Sequence, residues 1–574
     1  MPTLDFKGKP FVYSHHLSVP FRELVVDAGK SVAADGQTPG LDGNLIIHGD
    51  NLEALKALLP RYAGKVDVIY IDPPYNTGNE GWAYNDNVNA PQLKAWLGKT
   101  VDADDMERHD KWLCMMWPRL QLLRELLSPH GMFFASCDEN EVSNLMLVLD
   151  EVFGRQNRIE TLIWKKSYGG GAKEKHFVTL HEYILAYAAD IEMVPYLDRP
   201  ISDEKISRYY TKKDEYYETR GPYRLKPLEA TKSMDERENL RYSMTAPDGS
   251  EVWPKRQWWW SEDRFKATLA EGGIEFLKTA NGWSPQYKQY LKVKDGGNRS
   301  EKPFSIVEQP SVFSGPYTQV GTAELRAVMD GESAVPFPKP SALVQQLVEL
   351  AEPPIDRPLL ILDSFAGSGT TAHAVLALNK ADGGNRKFIL VETEDYADTL
   401  TAERVRRVIR GVPGAKDEAL REGLGGSFTY CELGEPMDME RFFAEDGKAP
   451  SWDQVARYVA YTATGETLAP AADAGADGVD GFAGHAGPYR LHLLYRADPK
   501  WMRSNDAMLD LTTAERIAAA AQADGGKPVL VFAAGKLMGQ RALTDLGITF
   551  CQLPYSVHRI LGDGTEGVAG VDAA

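Results

Sequence analysis

Residues 359–371 read LLILDSFAGSGTT, an apolar strand that runs directly into a glycine turn and the start of a helix. Residues 66–72 (VDVIYID) are a second apolar run, and the two prolines that follow end a strand there. Between this run and a short strand at 44–50, residues 51–59 carry apolar side chains at helical spacing. A strand, a helix and a strand in so short a stretch form a βαβ unit. The sequence therefore predicts an α/β fold with a parallel sheet.

The chain divides into five regions by periodicity and composition. An N-terminal arm covers 1–43, and regular α/β periodicity covers 44–164. The periodicity fades in 165–335, which is rich in Tyr, Trp, Lys, Arg and Gly and is predicted to be an inserted domain. Regular patterns return in 336–435, and further strand and helix patterns in 436–574 predict a small C-terminal α/β domain.

The composition excludes several classes of protein. With 574 residues, of which 43% are hydrophobic and 25% charged, the chain is globular rather than disordered. No apolar run reaches the roughly 18 residues that a membrane helix needs, and the first residues lack the pattern of a secretory signal. The cysteines lie far apart, which excludes a disulfide scaffold and a CxxC metal cluster: Cys114, Cys137, Cys431 and Cys551. We expect a cytoplasmic protein without a membrane span or a metal site.

The glycine turn is a candidate site for a cofactor. Gly367 and Gly369 let the backbone approach a ligand closely, and the helix that follows offers unpaired N–H donors in its first turn. Glu392 ends the next predicted strand, where a carboxylate would meet the hydroxyls of a ribose. Taken singly, the turn could be purely structural and Glu392 a solvated strand end. Together they indicate an adenosine-type cofactor, either a dinucleotide or S-adenosylmethionine.

The tetrapeptide Asp72-Pro-Pro-Tyr75 follows a buried strand, at the carboxyl edge where ligands bind in open α/β sheets. The Asp72 carboxylate and the Pro73 carbonyl would accept the two N–H groups of an exocyclic amine, while the planar ring that carries the amine stacks on Tyr75. Such an amine is a poor nucleophile, because its lone pair is delocalised into the ring. Acceptors that take hydrogen bonds from both N–H groups move the nitrogen toward tetrahedral geometry and so make its lone pair available. This is preorganised electrostatics and needs no strong base. The alternative is a proline-rich turn without a catalytic role.

These motifs resemble those of a known family. The segments IDPPYNTG at 71–78 and DSFAGSGTT at 363–371 closely resemble the catalytic and cofactor motifs of DNA amino-methyltransferases of the permuted β class. With LDFKGKPFVYSHH at 4–16 and EVSNLMLVLDEVFG at 141–154, residues 1–435 look like the modification (Mod) subunit of a type III restriction–modification system. The resemblance implies a Rossmann-like, circularly permuted methyltransferase sheet, an inserted target-recognition domain and S-adenosyl-L-methionine as cofactor.

The permutation that the resemblance implies makes a prediction about the sheet. Residues 387–392 would be the second strand of a methyltransferase sheet, and no obvious third strand follows them. Residues 45–50 can fill that slot, with the helix 51–59 then leading to the strand that ends in the tetrapeptide. The methyltransferase domain would thus combine a catalytic half at 44–164 with a cofactor half at 336–435.

The resemblance also implies the roles of individual residues. Asp72, Pro73, Pro74 and Tyr75 would catalyse methyl transfer to the N6 amino group of a flipped-out adenine, since Asp at the first position favours adenine and Ser would favour cytosine N4. The implied cofactor-binding residues are the turn, two strand ends and one lysine: Asp50, Asp363, Phe365, Ala366, Gly367, Ser368, Gly369, Thr370, Glu392 and Lys339. Of these, Glu392 would hold the ribose, Asp50 the adenine edge, and Lys339 would pack over the methionine part.

The insert is the first place to expect contact with duplex DNA, because residues 161–340 are close to neutral between two acidic ends of a chain with a net charge of −18. The basic loop at 165–175 and the segment KRQWWW at 255–260 combine cations with flat rings. Their alternative interpretations are a solvated surface for the loop and a packing core for the tryptophans. The segment HEY at 181–183 is interpreted as structural.

Partners and rival functions complete the prediction. The resemblance implies double-stranded DNA as substrate, a homodimer, and a restriction (helicase–nuclease) subunit as a possible partner. Rivals are a cytosine-N4 or RNA amino-methyltransferase, a catalytically inactive DNA-recognition subunit, and an NAD-dependent oxidoreductase. The incomplete GxGxxG pattern and the tetrapeptide disfavour the oxidoreductase.

Overall fold

The computed structural model describes twelve stretches of the chain: 3–34, 36–77, 107–169, 175–201, 203–230, 235–280, 282–293, 297–308, 316–331, 337–352, 357–437 and 449–553. Part of the basic loop predicted at 165–175 lies outside the described residues. The last residue of the segment 71–78 also lies outside them. The chain forms two compact units. One is the inserted unit at 196–304, and the other contains the described residues on both sides of it.

A large mixed sheet dominates the larger unit. Its ten described strands are β1 (Arg22–Val32), β2 (Leu45–His48), β3 (Val66–Ile71), β4 (Leu127–Cys137), β5 (Arg158–Lys165), β6 (His181–Ala188), β7 (Ile306–Val307), β8 (Leu360–Asp363), β9 (Lys387–Glu392) and β10 (Phe428–Pro436). Their order across the sheet is β1-β10-β2-β9-β8-β3-β4-β6-β5-β7. Neighbours from β10 to β4 are parallel, whereas β1 and β6 run antiparallel to the strands beside them.

Helices cover the sheet and fill the connections. In this part of the unit the described helices are α1 (Lys9–Val12), α2 (His15–Ser18), α3 (Asn51–Tyr62), α4 (Arg108–Leu126), α5 (Val142–Leu149), α6 (Thr318–Val328), α7 (Ser341–Leu350), α8 (Thr370–Asp382), α9 (Glu403–Arg410) and α10 (Glu418–Glu422). Parallel strands joined by helices bury both faces of the sheet, which explains why the central strands are apolar throughout. Among the described helices, none has the length and apolarity needed to cross a bilayer.

The permuted order predicted from the sequence is confirmed. β2 pairs in parallel with β9, so that Glu392 lies opposite His48. β8 separates β9 from β3, and the centres of β8 and β9 are fully buried, as at Ile361 and Ile389. The segment 45–50 therefore fills the third-strand position although it precedes the first two strands in the chain. The fold class is α/β, with the permuted strand order that the resemblance implies.

The inserted unit has its own core and short strands. These are Arg199–Pro200, Tyr223–Pro227, Met244–Thr245, Glu251–Val252, Ile274–Thr279, Gly282–Tyr290 and Ser300–Glu301, with helices at Asp203–Tyr209, Tyr217–Arg220 and Glu262–Ala270. Trp258 packs in this core, as the alternative interpretation of the tryptophan run predicted, whereas Trp259 is exposed. The unit is shorter than the predicted 165–335, because β6 pairs with β4 and β5 and so belongs to the large sheet.

The C-terminal region carries the predicted small α/β arrangement. Its sheet joins β11 (Ala469–Pro470), β12 (Phe482–Ala486), β13 (Tyr489–Leu493), β14 (Val529–Ala533) and β15 (Ile548–Gln552) in chain order. The last three strands are parallel. The helices are α11 (Trp452–Thr464), α12 (Pro499–Met502), α13 (Leu511–Ala523) and α14 (Gln540–Asp545), and two short strands, Met508–Leu509 and Gly535–Lys536, pair beside them.

Candidate functional site

The two sequence motifs lie side by side at one edge of the sheet. β3 and β8 are parallel neighbours, with Ile361 opposite Val68 and Leu362 opposite Ile69. Both strands therefore end at the same edge, where the chain continues into Asp72 after β3 and into the glycine turn after β8. This is the edge at which open parallel sheets bind ligands.

A buried ammonium group occupies the acceptors of the tetrapeptide. Lys339 Nζ donates to both carboxylate oxygens of Asp72 at 2.8 Å and to the hydroxyl oxygen of Tyr75 at 2.7 Å. It also lies 4.9 Å from the centroid of the Tyr75 ring, and only 8% of the lysine is exposed. The resemblance implied that Lys339 packs over the methionine part of the cofactor. Its ammonium lies at Asp72, while its backbone carbonyl accepts a hydrogen bond from the Thr370 hydroxyl of the glycine turn at 3.3 Å.

A second carboxylate, which sequence reasoning interpreted as structural, belongs to the same cluster. Glu182 on β6 places Oε2 3.4 Å from Lys339 Nζ, and the Tyr75 hydroxyl donates to Oε2 at 3.2 Å. Its other oxygen accepts from Lys166 Nζ at 3.1 Å. Burial alone would raise the pKa of Glu182, but the two lysines outweigh burial and lower that pKa. Glu182 is therefore a buried, ionised carboxylate within the site.

Hydrogen bonds to neighbouring side chains fix the backbone of the tetrapeptide and of the residue after it. Trp112 Nε1 on α4 donates to the Pro74 carbonyl at 2.7 Å. Asn76 has a positive φ of 60°, and its side-chain amide donates to the fully buried carboxylate of Glu141 at 2.5 Å. Burial raises the pKa of Glu141, and the nearby His109 opposes that rise. These contacts fix the direction in which Asp72 and its neighbours face.

The glycine turn has an open backbone backed by a carboxylate. Gly367 and Gly369 have φ values of 51° and 77°, which glycine adopts without steric cost. Glu392 accepts from the Gly367 N–H at 2.6 Å and from the Glu394 N–H at 3.0 Å, and burial raises its pKa. A Cβ placed on Gly367 would meet nothing closer than the Phe365 carbonyl oxygen, at 3.9 Å. Space above the turn therefore admits a ligand.

A buried arginine supports the turn and was not identified from the sequence. Arg404 on α9 is fully buried, and its Nη1 donates at 2.9 Å to the hydroxyls of Ser368 and Thr370. Its Nη2 lies 3.1 Å from His373 Nδ1, and burial, with Arg404 beside it, lowers the pKa of His373 to about 3. A neutral histidine can accept that hydrogen bond. These hydrogen bonds fix Ser368 and Thr370, two of the predicted cofactor residues.

The remaining predicted residues have structural contacts. Asp363 accepts from the Phe365 N–H at 3.0 Å and from the Thr371 hydroxyl at 2.6 Å, and so shapes the turn. The Ala366 N–H donates to the carbonyl of Val391 at 3.1 Å, which joins the turn to β9. Asp50 is the N-cap of α3, because its carboxylate accepts from the Glu53 N–H at 3.1 Å.

The charged groups gathered at the tetrapeptide are carboxylates and lysines, whereas Arg404 and His373 support the glycine turn. Asp72 and Glu182 share Lys339, and Glu392 lies behind the glycine turn. Among the residues that the structure describes, no group of three or more His, Cys, Asp or Glu side chains could hold a metal ion.

Comparison with known proteins identifies the family. Residues 66–403, which contain both motifs and the residues between them, match the family model described as DNA methylase. This chain belongs to the DNA methylase family. The methylase uses S-adenosyl-L-methionine as cofactor, and the glycine turn fits that group, because its backbone is open at Gly367 and a buried carboxylate stands behind it.

The methylase is similar to curated modification subunits. It is 32% identical over 455 residues to the Mod subunit of the type III restriction–modification enzyme StyLTI of Salmonella typhimurium, covering 74% of this chain and 65% of that one. It is 29% identical over 451 residues to the EcoPI Mod subunit of Escherichia phage P1, covering 69% and 67%. The matched part thus spans about two thirds of the length of these relatives. A solved DNA modification methylase of Thermus thermophilus, complexed with S-adenosyl-L-methionine, aligns over 67% of this chain and 99% of its own at 13% identity and a TM-score of 0.29.

Proposed function

We propose that this methylase transfers a methyl group from S-adenosyl-L-methionine to the N6 amino group of an adenine flipped out of duplex DNA, as the modification subunit of a type III restriction–modification system. The observation that carries the proposal is the nitrogen of Lys339. It is held by both oxygens of Asp72 and donates to the hydroxyl oxygen of Tyr75. The Asp72 carboxylate thus already accepts N–H groups at the point where the tetrapeptide would receive the amino group of a bound base.

The residues of the site would activate that amino group without a strong base. Asp72 accepts one N–H of the amine, the Pro73 carbonyl accepts the other, and Tyr75 stacks against the ring, so the nitrogen lone pair is turned toward the glycine turn. S-adenosyl-L-methionine supplies an electrophilic methyl group on its sulfonium. The proton that the amine loses after transfer is accepted at a carboxylate oxygen of Asp72. Trp164 and Tyr75 line the cluster with ring surface and limit the access of water.

The inserted unit supplies the sequence reading in this proposal. It presents Trp253, 60% exposed, and Trp259, 43% exposed, on either side of the cationic pair Lys255 and Arg256 in the sequence. Exposed rings and cations suit contacts with bases and phosphates. The similarity to Mod subunits of restriction–modification enzymes supports a restriction subunit as partner on DNA, and the homodimer and the cytoplasmic location stay predictions.

Nucleoside analysis tests the proposal. The full chain is expressed in cells that lack endogenous adenine methylation, and their DNA is digested and analysed by mass spectrometry. We expect N6-methyladenine, and long-read sequencing then maps the modified sequence. Detection of N4-methylcytosine instead would show that the base is misassigned. DNA that carries neither modification, from cells that contain the folded chain, would refute the proposed activity.

A further inference from the structure

Two carboxylates compete for one ammonium group in the site. Asp72 holds Lys339 Nζ at 2.8 Å through both oxygens, and Glu182 lies 3.4 Å from the same nitrogen. Lys339 is 8% exposed and Glu182 is 8% exposed, so solvent screens neither charge strongly. The Asp72–Lys339 pair is a fully formed ion pair, whereas the Glu182–Lys339 pair is longer than a normal charge-assisted hydrogen bond of about 2.8 Å.

The Lys339 ammonium must leave the Asp72 carboxylate when a base binds there. It takes both Asp72 oxygens, which the proposed mechanism gives to the target adenine, and it donates to the Tyr75 hydroxyl beside them. A carboxylate whose two oxygens both accept from one ammonium is also a weaker acceptor for a neutral amine. Removing Lys339 from the site altogether would leave the Asp72 and Glu182 carboxylates without the cation that they share, which is unfavourable.

We infer that Glu182 is a positioning residue that takes over the Lys339 ammonium when the target amine binds to Asp72. The inference rests on the proposed function, and it assigns to Glu182 the task of making the Asp72 carboxylate available to the target amine. The movement is small, because shortening the distance from Nζ to Oε2 from 3.4 Å to about 2.8 Å completes the second ion pair. The Tyr75 hydroxyl already bridges the two carboxylates, with donor distances of 2.8 Å to Asp72 and 3.2 Å to Glu182.

The charges around Glu182 suit this exchange. Lys166 holds Oε1 at 3.1 Å and leaves Oε2 directed at Lys339 and Tyr75. Lys166 and Lys339 together keep Glu182 ionised, as its lowered pKa indicates. After the exchange the site contains the same charges as before, but the Asp72 carboxylate carries an uncompensated negative charge beside the incoming amine. That is the charge that would draw on the N–H of adenine.

A pair of variants tests the exchange through second-site rescue. Glu182→Gln removes the alternative partner of Lys339, so the ammonium should stay on Asp72. Methyl transfer should then fall at least tenfold in kcat/KM for DNA, while the Kd for S-adenosyl-L-methionine, measured by calorimetry, stays within about twofold. Adding Lys339→Met to Glu182→Gln removes one charge of each sign and frees Asp72, so the double variant should regain a substantial part of the lost kcat/KM.

Two further measurements separate positioning from a structural role. A duplex that keeps the target adenine and carries 2-aminopurine at the neighbouring position, at the site mapped by sequencing, should fluoresce less with Glu182→Gln than with the wild type and recover with the double variant. Glu308→Gln is the matched control, since that 46%-exposed glutamate pairs with Lys165, and it should leave all readouts unchanged. Glu182→Asp keeps the negative charge at a greater distance from Lys339, so its kcat/KM should lie between those of the wild type and Glu182→Gln. The melting temperatures of the variants show whether the site still folds.

The outcomes distinguish the two proposals. Absence of methylation by the wild type would overturn the proposed function and this inference together. Wild-type methylation with an unimpaired Glu182→Gln would overturn the inference alone, as would a double variant no more active than Glu182→Gln. Rescue of both kcat/KM and fluorescence, with melting temperatures unchanged, supports it.

Discussion

Lys339 Nζ lies 2.8 Å from each carboxylate oxygen of Asp72, although 267 positions separate the two residues in the chain. The contact follows from the order of the sheet, in which β3 and β8 are neighbours and the chain between their motifs contains the insert. Lys339 stands just before α7, and its carbonyl is tied to the turn that follows β8. The permuted connection thus joins the tetrapeptide and the glycine turn through one lysine.

Replacing Asp72 tests its catalytic assignment. Asp72→Ala should reduce methyl transfer by about a hundredfold to a thousandfold or more, because a preorganised acceptor for the target amine is lost. Binding of S-adenosyl-L-methionine should persist, since the glycine turn and Glu392 remain. Tritium transfer to DNA and calorimetric titration of the cofactor measure the two effects. Asp42→Ala is the control, as its carboxylate is 88% exposed and pairs with Arg61 at the surface. Wild-type turnover in Asp72→Ala would remove this residue from the mechanism.

The sequence was sufficient to predict the elements whose signals are local. Strands β3, β8 and β9 are continuous apolar runs, and the polar groups at their ends, Asp72 and Glu392, are placed by the parallel arrangement. The strands need only periodicity and topology rules. The slot of β2 was implied by the resemblance to permuted methyltransferases, together with the lack of another third strand.

The rest of the site depends on contacts between distant segments. Glu182 reaches Lys339 and Tyr75 because β6 adds antiparallel to β4, with Ile184 opposite Ser136, and no local pattern encodes that pairing. The resemblance implied only the position of Lys339 in the chain, and the partner of its side chain, Asp72, lies in a distant segment. Arg404 looks like one of several arginines on α9, and only its complete burial distinguishes it.

Trp258 and Trp253 separate the packing and surface roles within one tryptophan-rich segment. Trp258 is 2% exposed and donates through Nε1 to the Tyr242 carbonyl at 2.8 Å, so Trp258→Ala should destabilise the inserted unit by about 3–5 kcal/mol. Trp253→Ala should change the free energy of unfolding by no more than about 0.5 kcal/mol, because its ring is 60% exposed. Thermal unfolding followed by tryptophan fluorescence compares them. Equal destabilisation by both substitutions would contradict the assigned packing.

Two glycines with similar backbone angles make a matched pair in the cofactor half. Gly369 has φ +77°, and a Cβ there would lie 3.0 Å from the Thr401 carbonyl oxygen. Gly383 has φ +71°, and a Cβ there would meet nothing within 4 Å. Gly383→Ala should cost about 1–2 kcal/mol for the left-handed conformation alone. Gly369→Ala should cost about 1–3 kcal/mol more, because the backbone oxygen cannot move aside easily.

Chemical denaturation of the two alanine variants measures the difference, and calorimetry reports cofactor binding. Gly369→Ala should also weaken the binding of S-adenosyl-L-methionine, whereas Gly383→Ala lies at the far end of α8 and should not. The packing argument fails if the two variants are equally stable.

Asp363 makes the stability of the methylase depend on pH near neutrality. Burial, reinforced by the nearby carboxylates of Asp72 and Glu392, raises the pKa of Asp363 to about 7 from an ordinary value of 3.8. At pH 6 the folded chain therefore keeps a proton on Asp363 that the unfolded chain has released. Stability must then fall as the pH rises through about 7, because folding takes up that proton.

Comparison of the wild type with Asp363→Asn isolates this contribution. Between pH 6 and pH 8 a folded-state pKa of about 7 removes roughly 1.4 kcal/mol from the free energy of unfolding. Asparagine does not titrate, and its amide oxygen can still accept from the Phe365 N–H, so the variant should lack this loss. Urea unfolding of both proteins at the two pH values gives the difference directly. If the wild type and Asp363→Asn differ by the same amount at pH 6 and pH 8, Asp363 does not titrate in this range.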